Sequence, residues 1–196
     1  VEIETWDAGS GFFKSPDDKA IPANRPGFDK HPPLANPIGG PVFIEGAAPG
    51  DVLTIEIEDI LMGNASWIAI GPNRGPLGQS TRWAEVSKNY TTKIFQHHPG
   101  QSGTMRDGTM QFSDTVSWPI TPFIGTIGVA PEREVCTSID GQGAWGGNLD
   151  IRDVAVSSSA TFSASARPAR RAIDRRQARG GAGGTVPATL AALPTH

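Results

Sequence analysis

The chain has 196 residues, 37% of them hydrophobic and 19% charged, with 24 glycines and 17 prolines. That mixture argues against a helical bundle and for a loop-rich, mainly β protein with few long helices. A net charge of −3 leaves no basic footprint for nucleic acid, no apolar run reaches the length of a membrane span, and the single Cys136 excludes an internal disulfide framework. The lone cysteine fits a reducing, cytoplasmic compartment.

Val1–Trp6 alternates apolar and polar residues and reads as a half-buried strand. It opens in mid-pattern without an initiator methionine, as a chain beginning inside a longer reading frame would. Asp7 to Leu34 is polar and proline-rich and reads as a long loop, a kind of segment that is usually functional or disordered. Asn36 to Pro41 is dense in turn residues, and Val42–Gly46 reads as a short strand. Pro49-Gly50 then suits a type II turn. The clearest strand follows, with Leu53, Ile55 and Ile57 facing one way and Thr54, Glu56 and Glu58 the other.

Between Met62 and Gly103 the signals weaken. Ser66–Ile70, Thr81–Val86 and Lys93–Gln96 are expected as short strands between glycine and proline turns. Thr109–Phe112 and Val116–Ile120 form the arms of a hairpin joined near Ser113-Asp114. Phe123–Ala130 is an apolar run punctuated by glycine, which suits a buried strand with a close backbone neighbour. Leu149–Val156 is expected as a further strand, and no helix is expected before Ser157.

At Ser157 the composition changes. Residues 157–196 hold six arginines, no lysine and one acid, in a background of Ala, Ser, Gly and Pro. Residues 1–156 therefore read as the β domain and 157–196 as a basic, low-complexity tail, either disordered or the product of a frame-shifted reading of a GC-rich gene. Residues 167–179 alone suit a short basic helix. The arginines lack the interleaved aromatics of a nucleic-acid binder and read as a solvated tail.

The candidate site is Gly146-Gly147-Asn148-Leu149-Asp150. Two glycines permit a tight turn or close approach to a ligand. Asn148 supplies an amide able to donate to a developing oxyanion, and Asp150 a carboxylate able to act as base or metal ligand. The competing reading is a turn closed by Asx hydrogen bonds. Asp7 is either a second site carboxylate or, slightly favoured, a strand-end turn residue. His97 and His98 are adjacent and would point to opposite faces of a strand, so one ion would rarely take both; a solvated loop before Pro99 is favoured, as it is for His31. Cys136 reads as a small buried residue rather than a nucleophile. Of the five tryptophans, most are expected in the core, with Trp145 walling the site.

Four stretches in order resemble the acetamidase/formamidase family: Val1–Ala8, Asn36–Leu53, Pro122–Pro131 and Gly146–Asp150. The resemblance covers residues 1 to about 156. It implies a mainly β fold of sandwich and barrel-like parts, and hydrolysis of short aliphatic amides to a carboxylate and ammonia. Asp150 and Asn148 would be catalytic, and Gly146, Gly147 and Trp145 would contact substrate. It leaves room for a divalent metal, zinc ahead of calcium, on Asp7 and Asp150. Partners expected are a small amide and further copies of the chain, with no nucleic acid or membrane.

Two departures from the family pattern stand out. Family members continue past this turn into Gly-Asp-x-His-Ala and Gly-Asp-Gly-Glu motifs, neither of which is found here, and Trp145 stands where many members have histidine. These departures predict a truncated, impaired enzyme. The alternative is a non-catalytic β scaffold that serves for binding or oligomerisation.

Overall fold

In the computed structural model the described residues are 1–129 except 32, 35 and 49, 142–163 except 144, and 192–193. The described chain is mainly β. Helical structure is confined to one four-residue α-turn, Gly75–Gly78, and 3-10 turns at Pro22–Asn24, Ala84–Ser87 and Met105–Asp107. Cys136, the arginine cluster from Arg167 and the helix expected over 167–179 lie outside the described residues.

One part is a four-stranded antiparallel sheet, in the order β3 (Ala65–Ile70), β4 (Thr91–His98), β5 (Thr109–Ser113), β6 (Val116–Pro119). The hairpin read from the sequence is β5–β6, with a register irregularity between Gln111 and Ser113. Side chains alternate across such a sheet. On one face Trp67 and Thr92 meet the long loop that follows Asp7. The Phe13 ring lies 4.1 Å from Trp67, and Thr92 Oγ1 donates to the Asp18 carbonyl at 2.6 Å. On the other face Phe95, Phe112 and Trp118 form a run of rings with centroids 5.8 and 4.6 Å apart, and Lys93 lies 4.0 Å above Phe112.

The second part holds the hydrophobic core. β2 (Val52–Glu56) pairs antiparallel with β10 (Ser159–Ser163), and a three-stranded antiparallel sheet runs in the order β7 (Thr126–Gly128), β9 (Gly146–Asn148), β8 (Gln142–Gly143). Ile57, Ile60, Ile124, Ile127, Val129, Ala160 and Phe162 pack together, with Leu53 and Ile55 partly buried against them. The alternation read from Leu53 to Ile57 therefore points into this core. The backbone of β1 (Val42–Phe43) pairs in parallel with β11 (Ala192–Leu193).

The sheet continues past the compositional break at Ser157, because β10 supplies Ala160 and Phe162 to the core. Phe162→Ala is expected to destabilise the protein by about 3–5 kcal/mol, the usual cost of emptying an aromatic site. Urea unfolding measures it; a loss under about 1 kcal/mol would mean that β10 is dispensable.

Three sequence expectations are corrected. Val1–Trp6 is not a strand. Ile3 and Thr5 are partly buried and Glu2 and Glu4 exposed, as the alternation implies, but no strand among the described residues pairs with the segment, which runs beside Gly39. Thr81–Val86 instead closes local turns, Trp83 N–H to the Ser80 carbonyl and Val86 N–H to the Trp83 carbonyl, and leads into a 3-10 turn. Leu149–Val156 is a series of turns, with only Ala155 bridging to Phe123, because Asp150 and Ser157 adopt φ of 51° and 67° and break the extended course. The strand expected over Val42–Gly46 is also shorter, spanning Val42–Phe43.

Candidate active site

The two glycines at 146 and 147 do not form the expected tight turn. They lie in β9, the central strand of the three-stranded sheet, in register with Gly128 and Ile127. Their role is close approach of backbones. A Cβ on Gly146 would sit 2.4 Å from the Ile127 carbonyl oxygen, and one on Gly128 would sit 2.2 Å from the Trp145 oxygen. The glycine-punctuated run from Phe123 was read as needing a close backbone neighbour, and β9 is that neighbour.

Asn148 ends the strand opposite Thr126. The buried Thr126 hydroxyl donates to Asn148 Oδ1 at 2.8 Å, and Gln142 Nε2 donates to the Asn148 main-chain carbonyl at 2.5 Å. With its oxygen held by Thr126, the Asn148 amide is fixed in orientation and its Nδ2 donors point elsewhere. Thr126 and Gln142 were not singled out in the sequence. The registers of β7 and β8 on β9 are what make them neighbours of Asn148, and no local signal carries them.

Two residues on, the N–H groups of Leu149 and Asp150 both donate to the Gly125 carbonyl, each at 2.9 Å. Asp150 takes a left-handed φ of 51°, a conformation that aspartate tolerates better than most residues. Its carboxylate lies over Gly125, where a Cβ would come within 2.7 Å of Oδ1. Asp150 is exposed, and its carboxylate accepts no hydrogen bond from the described residues. Among the described residues the site thus presents an oriented amide and a carboxylate with no hydrogen-bond partner, within three residues. Trp145 is partly buried against the core, and its ring fills the space beside Gly143.

Asp7 is placed differently. It is 4% exposed, and its oxygens accept from Gly9 N–H at 2.7 Å, Gly11 N–H at 2.7 Å and Trp67 Nε1 at 2.9 Å. Three donors converge on one carboxylate, which closes the loop and pins it to β3. Asp7 and Asp150 share no hydrogen-bond partner, and the described residues contain no group of three His, Cys, Asp or Glu able to hold a metal. Asp7→Asn would turn an NH2 group toward an N–H donor. The expected loss is about 2–4 kcal/mol, read by urea unfolding with Trp67 contributing to the fluorescence change. An unchanged midpoint would mean that the network adds nothing.

His97 corrects another expectation, since it is buried on β4 rather than solvated in a loop. Nδ1 lies 2.7 Å from the Gly63 carbonyl and Nε2 2.9 Å from Ser66 Oγ. A carbonyl can only accept, so Nδ1 donates to it. His98 is exposed on the opposite face, and His31 is exposed. Trp83 and Trp118 are also half exposed rather than core.

Comparison with solved structures gives two acetamidase-type relatives. One is a crystal structure of an acetamidase from Bacillus halodurans, 30% identical, with a TM-score of 0.65, covering 81% of this chain and 46% of that one. The other is a predicted acetamidase/formamidase from the thermophile Thermoanaerobacter tengcongensis, 28% identical, with a TM-score of 0.61 and the same coverages. The chain thus spans a little under half the length of these relatives. No curated protein matches it. The acetamidase/formamidase family model matches residues 1–181, from the loop anchored by Asp7 through the Asn148–Asp150 site and across the break at Ser157, and the chain belongs to that family.

Proposed function

We propose that the chain carries the Asn148–Asp150 part of an active site that hydrolyses short aliphatic amides to a carboxylate and ammonia. One observation carries the reading: two residues beyond Asn148, whose amide oxygen is held by Thr126, comes an exposed Asp150 carboxylate that accepts no hydrogen bond from the described residues. Asp150 takes a proton from water as the water oxygen attacks the amide carbon. Asn148 Nδ2 donates to the oxygen that becomes negative. The proton passes to the nitrogen, the C–N bond breaks, and ammonia leaves. Gly146 lets β9 pack closely on β7 and so sets where Asn148 and Asp150 stand, and Trp145 supplies an apolar wall.

A divalent metal on Asp7 and Asp150 does not fit this arrangement. Both Asp7 oxygens are engaged by N–H donors in a buried loop. No step is therefore assigned to a metal.

The test is ammonia release from formamide and acetamide by the purified full chain, corrected for the uncatalysed rate. Turnover above that rate supports the reading, and its absence with both amides counts against it. A second reading, a scaffold that associates with further copies, is supported by the open face of the four-stranded sheet, where Ile68, Ile70 and Trp118 are nearly half exposed and both edges are unpaired among the described residues. A monomeric mass in solution would remove it.

A further inference from the structure

The open face of the four-stranded sheet holds a serine against a histidine, and the amide mechanism uses neither. Ser66 on β3 lies opposite Phe95 on β4, and His97 follows two residues along the same face of β4. His97 Nε2 is 2.9 Å from Ser66 Oγ, and His97 Nδ1 is 2.7 Å from the Gly63 carbonyl oxygen.

The pair has the parts of an activated nucleophile. The His97 ring is buried, 6% exposed, and its bond to Gly63 fixes its orientation. With Nδ1 donating to a carbonyl, the neutral ring keeps its lone pair on Nε2, the side that faces Ser66. Ser66 is only partly buried and belongs to β3, an edge strand of its sheet. Its hydroxyl also lies 3.3 Å from Met110 Sδ, a weak acceptor beside an imidazole nitrogen. A hydroxyl within hydrogen-bond reach of a base, with that base held by a third group, is the arrangement that makes serine nucleophilic.

The surroundings suit an apolar ester. Ile68 stands on the same face of β3 and is 49% exposed. Phe95, opposite Ser66, stacks on Phe112 at 5.8 Å. Lys93, opposite Ile68, brings a positive charge 4.0 Å above the Phe112 ring, where it favours a leaving group that departs with negative charge.

We propose that Ser66 is a nucleophile served by His97 as base, and that it accepts the acyl group of an aryl ester of a short carboxylic acid. The Oγ–C bond forms as the hydroxyl proton passes to Nε2. The ester C–O bond then breaks, and the aryloxide takes that proton and leaves as the phenol. Water attacks the acyl-serine in the same way, giving its proton to Nε2, and the acid leaves as Ser66 recovers the proton. This activity does not rest on the amide-hydrolase reading, which ammonia release tests by itself.

Two probes on the purified full chain test it. A fluorophosphonate, which forms a stable adduct with activated serines, is expected to label the peptide that carries Ser66, as read by peptide mass mapping. p-Nitrophenyl acetate is expected to release nitrophenol above the uncatalysed rate. Ser66→Ala should abolish both with an unchanged thermal melt, and His97→Gln should slow both by at least about 10²-fold. Labelling of the wild-type chain decides the matter even where a His97 variant fails to fold. No adduct on Ser66, or nitrophenol release undiminished in Ser66→Ala, would overturn the proposal and leave the pair as a hydrogen bond that ties β3 to β4.

Discussion

Asp150→Asn is expected to lower amide turnover by about 10²–10⁴-fold and to leave the fold intact. Asparagine has nearly the same shape, and it tolerates the left-handed φ of 51° that this position requires. The main-chain bond from residue 150 to the Gly125 carbonyl does not involve the side chain. The carboxylate itself is exposed and accepts no hydrogen bond from the described residues, so its removal should change stability by no more than about 0.5 kcal/mol. On the proposed mechanism, what is lost is the base that takes the proton from water. Ammonia release and a thermal melt on the same preparation check both halves. Full turnover in the variant would show that Asp150 is not the base, whereas a lowered melting temperature would assign it a structural role.

Gly146→Ala should have the largest effect on stability. Gly146 has φ of +94°, and a Cβ there would lie 2.4 Å from the Ile127 carbonyl oxygen and 2.8 Å from a Phe162 ring carbon. Neither neighbour can retreat easily. Ile127 is 1% exposed at the centre of the core, and its strand is bonded to β9 itself. Backbone strain and overpacking each cost about 1–3 kcal/mol, so a loss on the order of 3–5 kcal/mol is expected, a large part of the stability of an ordinary domain. Gly46→Ala is the control. It has a similar φ of +79° but nothing within 4 Å of the added Cβ, so only the conformational cost of about 1–2 kcal/mol applies. Urea midpoints for the two variants decide the matter, and equal losses would mean that close packing of β9 on β7 contributes nothing.

Some of the fold was legible because it is written in short-range patterns. The alternation from Leu53 to Ile57 specifies which face is buried, since a strand has a period of two and needs only a sheet to lie in. The β5–β6 hairpin has its arms and its turn contiguous in the chain. The glycines between Phe123 and Ala130 declared a close neighbour without saying which. The candidate site was legible in part. The spacing of Asn148 and Asp150 after two glycines was enough to single them out, together with the resemblance of the surrounding stretches to the family.

What could not be read depends on partners remote in the chain. Gly146-Gly147-Asn148 has almost no intrinsic strand preference and is a strand because β7 and β8 flank it. Val1–Trp6 has a strand's alternation and is not a strand, since nothing among the described residues pairs with it. The composition after Ser157 hides that Ala160 and Phe162 close the core. His97 looked like a loop residue until β4 carried it between Gly63 and Ser66. Asp7 could have been a ligand by type, and only the folded loop brings three N–H donors onto it.

Residue types and their order determined a β-rich chain, its clearest strand, its hairpin and a carboxylate–amide pair in a glycine setting. Tertiary structure decided which strands pair, which polar groups are engaged and which remain open. Hydrogen bonds and close packing between distant segments depend on register, and register is settled only when the whole sheet assembles.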